Sequence, residues 1–266
     1  QEHGLPPDNV QILPAIGVAH RTSPTNIGLM ATVVCTARSM GFVTLSEMLS
    51  RLEAMFNALD HMEQWRGHFL NWYDTRTLAP LKPRYVSAVD SGNFAGFLLT
   101  CARIAETEIG ETILSDGQAA GICDTVMYYQ QDARFPGSGV LASLMHARDM
   151  GPGEFIMTME DVSCTDERAK AFIDGWLGEM RHLFPWTVLL SDMPQALSAN
   201  EELSQEVEKL TDRLMRPLSI KTMVDDYGDI LDDVSLVMKK LMDIEMEQNP
   251  IRMLSVLKSL INFQRN

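Results

Sequence analysis

From Thr25 to Met40 the apolar residues Ile27, Met30, Ala31, Val34 and Cys35 recur at intervals of three and four. A second stripe, Leu45, Met48, Leu49, Leu52, Met55, Phe56 and Leu59, follows within a few residues. Such spacing lines up apolar side chains on one face of a helix. Gly41 ends the first stripe, and Thr44-Leu-Ser-Glu47 opens the second as a capping box, in which hydroxyl and carboxylate answer each other's free amides. The turn between them is short, so the two helices form an antiparallel hairpin. A third helix is expected from about Gly92 to Glu111, with Phe94, Phe97, Leu98, Cys101, Ala102 and Ala105 on one side. Further helices are expected over 117–131, 138–149, 166–184, 200–216, 219–247 and 251–264, with breaks at Pro136, Gly151-Pro152-Gly153, Pro194, Pro217 and Pro250. No segment alternates convincingly as a strand, β-branched residues being sparse apart from clusters such as Tyr85-Val86-Ser87. The fold class that follows is all-α.

Two stretches escape the helical pattern. Residues 1–24 carry Pro6, Pro7, Pro14 and Pro24, which fix φ and remove donors, so an extended arm is expected there. Residues 64–93 hold two prolines, two glycines and many polar and aromatic side chains. Loops of that length are more often functional than idle.

Charge divides the chain. The net charge is −14, of which residues 1–110 carry −2 and residues 111–266 carry −12. This implies two parts, 1–110 and an acidic helical region 111–266. An acidic surface argues against a nucleic acid partner, whose phosphates are met by lysine and arginine, and against docking on an anionic membrane. The longest apolar candidate, Ile27 to Cys35, is about half the ~18 residues of a membrane span, so no direct insertion is expected. Gln1-Glu2-His3 opens a polar, proline-bearing segment without the basic and apolar regions of a leader. Cys35, Cys101, Cys123 and Cys164 stand far apart and read as reduced core residues, which fits a cytoplasmic compartment. No nucleotide-binding glycine loop, hydrolase elbow or cysteine zinc pattern is present, and the six histidines are scattered, so no metal and no cofactor are expected. Asp225, Asp226, Asp229, Asp232 and Asp233 lack the glycine and terminal glutamate of a calcium loop and read as a solvated face. Met215, Met223, Met238, Met242 and Met246 recur at helical spacing, and an alternative reading makes the acidic part a helical interaction or structural module.

The chemistry-bearing side chains fall in three clusters: His20 to Asn26, Arg66 to Asp74, and Asp90 to Asn93. Asp, Asn, Arg and His can each meet vicinal hydroxyls with two directed hydrogen bonds, and Trp or Tyr offers a flat face to the C–H side of a sugar ring. Arg21, Asn26, His68, Asn71, Trp72, Tyr73, Ser91 and Asn93 are therefore candidate carbohydrate-binding residues. Each has a plainer reading. Arg21 can pair with Asp74 or Asp90, Asn26 and Ser91 can be helix caps, Trp72 and Tyr73 can be core aromatics, and Trp65 is expected to pack. Asp74 and Asp90 are the only carboxylates in these clusters, so any glycosidic acid or base role in this part falls on them. That chemistry needs two carboxyl groups roughly 5 to 10 Å apart. Catalysis, substrate hydrogen bonding and a structural ion pair stay open for both.

Leu5-Pro-Pro-Asp-Asn9, the run Val18 to Leu29, Arg66-Gly-His-Phe through Asn71-Trp-Tyr-Asp-Thr75, the run Leu78 to Ser87, and Val89-Asp-Ser-Gly-Asn93 resemble the bacterial cyclic β-1,2-glucan synthases. The resemblance covers about residues 5–105, between the family's glycosyltransferase and phosphorylase-like parts, and extends more loosely over 160–266, including Phe184-Pro-Trp-Thr-Val-Leu-Leu190. It departs at Leu70, where the family usually has an aromatic, and at Phe97, where it has a histidine. It implies part of an (α/α)6 toroid with an acidic helical insertion. The implied activity is cyclisation of linear β-1,2-glucan by transglycosylation, with a sugar hydroxyl replacing water as acceptor. The implied partners are the β-1,2-glucan chain and the remaining domains of a synthase at the cytoplasmic side of the bacterial inner membrane, of which this chain is a soluble piece. The family's catalytic acid falls outside the matching stretch, so an incomplete catalytic apparatus is expected.

Overall fold

The computed structural model describes residues 2–131, 138–187, 189–190, 201–217, 219–243 and 248–265. The chain divides into two compact units, 1–107 and 108–266.

In the first unit, α1 (Pro24–Ser39) and α2 (Leu45–His61) form the expected hairpin. Ser23 caps α1 by accepting the Asn26 amide, and Pro24 takes the first helical position, where its missing N–H costs nothing. The Thr44/Glu47 capping box is present in both directions, at 3.2 and 3.1 Å. The helices bury Ile27, Ala31, Val34 and Cys35 against Met48, Met55 and Leu59, with Leu5 of the arm also enclosed. α3 (Ala88–Gly110) starts four residues before the expected Gly92, and it comes close to α1 at Gly28. A Cβ there would lie 3.0 Å from Phe97, so only glycine allows this approach without a shift.

The arm and the 64–93 loop are not structureless. They hold three two-stranded antiparallel ladders: β1 (Val10–Gln11) with β2 (Gly17–Val18), β3 (Arg21–Thr22) with β6 (Tyr73–Asp74), and β4 (Gln64–Trp65) with β5 (His68–Phe69). Strands of two residues are too short to show alternation, which is why the sequence gives no sign of them. The β3–β6 ladder matters most, since it sets the His20 to Asn26 cluster beside the Arg66 to Asp74 cluster.

The second unit is helical and built around Trp176, Trp186, Phe155, Phe184 and Tyr227, all at most 2% exposed. Its elements are α4 (Asp116–Gln130), α5 (Ser138–Ser143), a 3-10 turn (Leu144–Asp149), α6 (Pro152–Glu160), α7 (Glu167–Leu183), α8 (Glu201–Met215), α9 (Ile220–Asp243) and α10 (Gln248–Arg265). α6 was not expected. Gly151-Pro152-Gly153 reads as a break, but Gly151 is the N-cap and Pro152 the first helical residue, so the same residues start a helix. Pro250 likewise sits in the first turn of α10. Among the aspartates of α9, Asp226 pairs with Arg216 and Asp233 with Arg213, while Asp225, Asp229 and Asp232 are exposed. Met223 is buried and Met242 exposed. The breaks at Pro136 and Pro194, the start of the 200–216 segment, Val188, Met246 and the last residues of the 219–247 segment lie outside the described residues. No helix among the described residues is long and apolar enough to cross a membrane.

Candidate functional site

The candidate residues meet in the first unit. Arg21 stands on β3 with Asp74 as its backbone partner across the ladder. Its side chain turns elsewhere, donating to Asp8 Oδ2 from Nε at 3.1 Å and Nη2 at 2.8 Å. The guanidinium also lies 5.0 Å from the centroid of the Trp72 ring, a cation–π arrangement. Asn26 donates to the other Asp8 oxygen at 3.3 Å. The pairing of Arg21 with Asp74 or Asp90 is therefore replaced by one with Asp8, a residue of the arm. Asn26 is not the cap of α1, since Ser23 fills that place.

Asn71 is the hub of the site. It is 5% exposed and its backbone amide donates to the Tyr85 carbonyl. Its side-chain orientation is assigned from its neighbours: the amide nitrogen donates to Asp90 Oδ2 at 2.9 Å, and the oxygen accepts from Trp72 Nε1 at 2.5 Å and from the Tyr85 hydroxyl at 2.8 Å. Asp90 accepts from the Thr25 hydroxyl at 2.7 Å on its other oxygen, and Asn93 donates to that same hydroxyl at 3.3 Å. Contacts thus run without a gap from Asn26 through Asp8, Arg21, Trp72, Asn71, Asp90 and Thr25 to Asn93. The sequence reading missed Asp8, Thr25 and Tyr85 as members: Asp8 and Tyr85 sit outside the dense clusters, and Thr25, inside the first of them, gains its place only through Asp90 at the start of α3.

Burial raises the Asp90 pKa, but hydrogen bonds from Ser87, Thr25 and Ser23 outweigh it and hold the carboxyl below its ordinary value. Asp74 is held far lower, chiefly by the Arg76 side chain at 2.8 Å and the Arg76 amide at 2.9 Å, with the Thr77 amide adding to it. Both are ionised at neutral pH, and a low pKa makes either a poor proton donor there. They serve as acceptors. The structural ion pair left open for Asp74 is formed with Arg76.

A group with a depressed folded pKa gives stability that is present above its unfolded value, about 3.9 for Asp, and lost as pH falls through the folded value. Unit 1 should therefore lose stability on acidification below about pH 4. Asp90→Asn should remove part of that slope and cost about 1–3 kcal/mol at pH 7, through loss of charge-assisted bonds. Urea titrations at pH 7 and pH 3.5 check this.

Next to the network, a cleft of about 300 Å3 is lined by Pro24, Gly67, His68, Phe69, Ser91, Phe94, Ala95 and Leu98. Its floor is aromatic, with Phe69 and Phe94 edge to face at 5.4 Å. His68 is exposed at its edge and Ser91 half-buried. Ser91 is not a cap, because the Ser87 hydroxyl takes the Asp90 amide at 3.1 Å. Tyr73 requires a correction. It is 0% exposed, and its hydroxyl accepts from the Leu70 amide and donates to the Glu63 carbonyl, both at 2.6 Å. It offers no surface to a ligand and is a core aromatic beneath the site. Trp65 is corrected in the opposite sense, being 55% exposed rather than packed. Cys35, Cys101, Cys123 and Cys164 form no disulfide, and Cys164 is half-buried rather than in the core. Among the described residues no three His, Cys, Asp or Glu side chains are grouped to hold a metal ion.

Over 99 residues, 37% of its length, the chain is 50% identical to the cyclic β-(1,2)-glucan synthase NdvB of Rhizobium meliloti (strain 1021). Over that stretch it is a relative of a cyclic β-(1,2)-glucan synthase. The match spans only 4% of NdvB, and no protein-family profile matches the chain. Half of all residues identical over such a length is far beyond what shared helical composition would give.

Proposed function

We propose that this chain is a piece of a cyclic β-1,2-glucan synthase, and that its first unit supplies glycan-binding groups to the region that cyclises linear β-1,2-glucan by transglycosylation. The 50% identity with NdvB over 99 residues carries this reading. The network and the cleft support the glycan-binding half of it. A glucan presents hydroxyl edges and C–H faces, and the site presents the matching pair: acceptors and donors on Asp90, Asn93, Asn26 and Arg21, with flat apolar surface on Trp72, Phe69 and Phe94.

In this reading the helical hairpin α1–α2 and α3 are part of an (α/α)6 toroid and the second unit is an acidic helical insertion. The cleft holds a glucose unit, with His68 and Ser91 hydrogen-bonding its hydroxyls. Asp90 and Asp74 stay ionised and orient hydroxyls rather than protonate a leaving oxygen. The proton donor for breaking the glycosidic bond comes from another part of the synthase, which acts at the cytoplasmic side of the bacterial inner membrane.

Calorimetric titration of linear β-1,2-gluco-oligosaccharides into the intact chain and its Trp72→Ala variant tests the reading. Saturable binding that weakens roughly tenfold in the variant is expected, as for an aromatic anchor. Equal or undetectable binding by both would count against a glycan site here.

A further inference from the structure

A second cavity in the first unit, of about 600 Å3, takes no part in the network above. It is lined by His3, Asn57, His61 and Thr77 over a floor that includes Ala54 and Ala58. The arm makes one wall. Leu5 is buried, and Gly4, at φ 71°, sits so close to α2 that a Cβ there would lie 2.9 Å from that of Ala54. Glycine alone allows that approach, and it brings the neighbouring His3 to the cavity. His3 Nε2 lies 3.0 Å from the Arg76 carbonyl and His61 Nδ1 2.7 Å from the Asn57 carbonyl. A carbonyl only accepts, so in each ring the nitrogen facing it carries the hydrogen, and in a neutral imidazole the opposite nitrogen is then an acceptor. The Thr77 hydroxyl accepts the Ala79 amide at 3.3 Å and keeps its own proton to donate. The exposed Asn57 side chain adds a donor and an acceptor. Among the described residues no carboxylate, lysine or arginine lines the cavity.

We infer that this cavity is a second binding site for a neutral, hydroxyl-rich ligand, a further segment of the same glycan, held through its hydroxyls by His3, His61, Thr77 and Asn57. A charged ligand would find no counter-ion here, whereas sugar hydroxyls both donate and accept. The inference rests on the glycan-binding reading above and adds a place for the glycan outside the cleft. α1 begins at Pro24, which lines the cleft, and α2 ends at His61, so the antiparallel hairpin sets both sites at its same end. Pro24 lies two residues past β3 and Thr77 three past β6, and in an antiparallel pair those segments leave opposite ends of the ladder. A glycan crossing the β3–β6 ladder therefore meets the cleft on one side and the cavity on the other.

NMR of the intact chain with isotope-labelled histidine, titrated with a β-1,2-linked glucose hexasaccharide, reads both sites at once, because His68 stands at the cleft and His3 and His61 at the cavity. The ring signals of His3 and His61 are expected to move together along one saturating curve. His61→Ala should weaken the binding read at His3 by about three- to tenfold, the worth of one hydrogen bond, and His61→Gln, which keeps an acceptor, should lose less. Movement of His68 with His3 and His61 unchanged would overturn the second site and leave the cleft intact. An affinity read at His3 that is the same in the unaltered chain and in His61→Ala would overturn it as well. Movement of His3 and His61 without His68 would support the second site and count against the cleft. No movement of any of the three at a saturating concentration would overturn both.

Discussion

Asn71→Ala is expected to destabilise the first unit by about 2–4 kcal/mol, because three partners lose their bonds at once and one of them is a carboxylate. Asp90 loses the amide donor at 2.9 Å, and the Trp72 indole and Tyr85 hydroxyl lose a shared acceptor. The site is too enclosed for water to replace the side chain freely, Asn71 being 5% exposed. Glycan binding should fall with it, since that bond, together with the Arg21 guanidinium over the ring, orients the Trp72 indole. Chemical denaturation gives the first quantity and calorimetry the second. Asn71→Asp separates shape from charge. It keeps the acceptor for Trp72 and Tyr85 but sets a like charge against Asp90, so it should be damaging at pH 7 and partly relieved below about pH 5, where one of the pair takes up a proton. A destabilisation of Asn71→Ala below about 0.5 kcal/mol, the size usual for surface changes, would show that the hub does not hold the network.

The second large effect lies in the other unit. Trp186 is fully buried, its indole N–H donates to the Leu214 carbonyl at 3.3 Å, and its ring meets Phe184 and Tyr227 edge to face, both at 5.8 Å. Trp186→Ala should cost about 3–5 kcal/mol, the range for deleting a large core aromatic and leaving a cavity. Trp186→Phe keeps most of the volume and loses the Leu214 bond, so it should cost less. Urea denaturation followed by circular dichroism distinguishes the two. If alanine and phenylalanine proved equally mild, Trp186 would not be a centre of that core.

What could be read from the sequence depended on whether the signal was local. The α1–α2 hairpin was legible because periodicity, Gly41 and the Thr44/Glu47 box all lie within a few residues of what they determine. α6 was not, because proline and glycine mean a break or a start according to which side of the helix they fall on, and Gly151-Pro152 fall on the starting side. The clusters around Arg21, Asn71 and Asp90 were visible as dense polar and aromatic chemistry. The partner of Arg21 was not, since Asp8 and Asp74 are both carboxylates and only the folded arm brings the former to the guanidinium. Neighbouring aromatics show the same limit. Trp72 and Tyr73 look alike in sequence, but successive residues of an extended chain point to opposite sides, and Tyr73 is the one turned inward. Trp65 is exposed because its tight hairpin pairs it with His68 at the surface, a register that Arg66-Gly67 permits but does not announce.

Hydrogen–deuterium exchange of the intact chain, with and without a β-1,2-linked glucose hexasaccharide, tests the central claim most directly. The account predicts slowed exchange in peptides covering residues 20–26, 64–75 and 87–98, and little change over 201–265. Protection confined to the second unit, or absent from every peptide at a saturating concentration of the glycan, would contradict it.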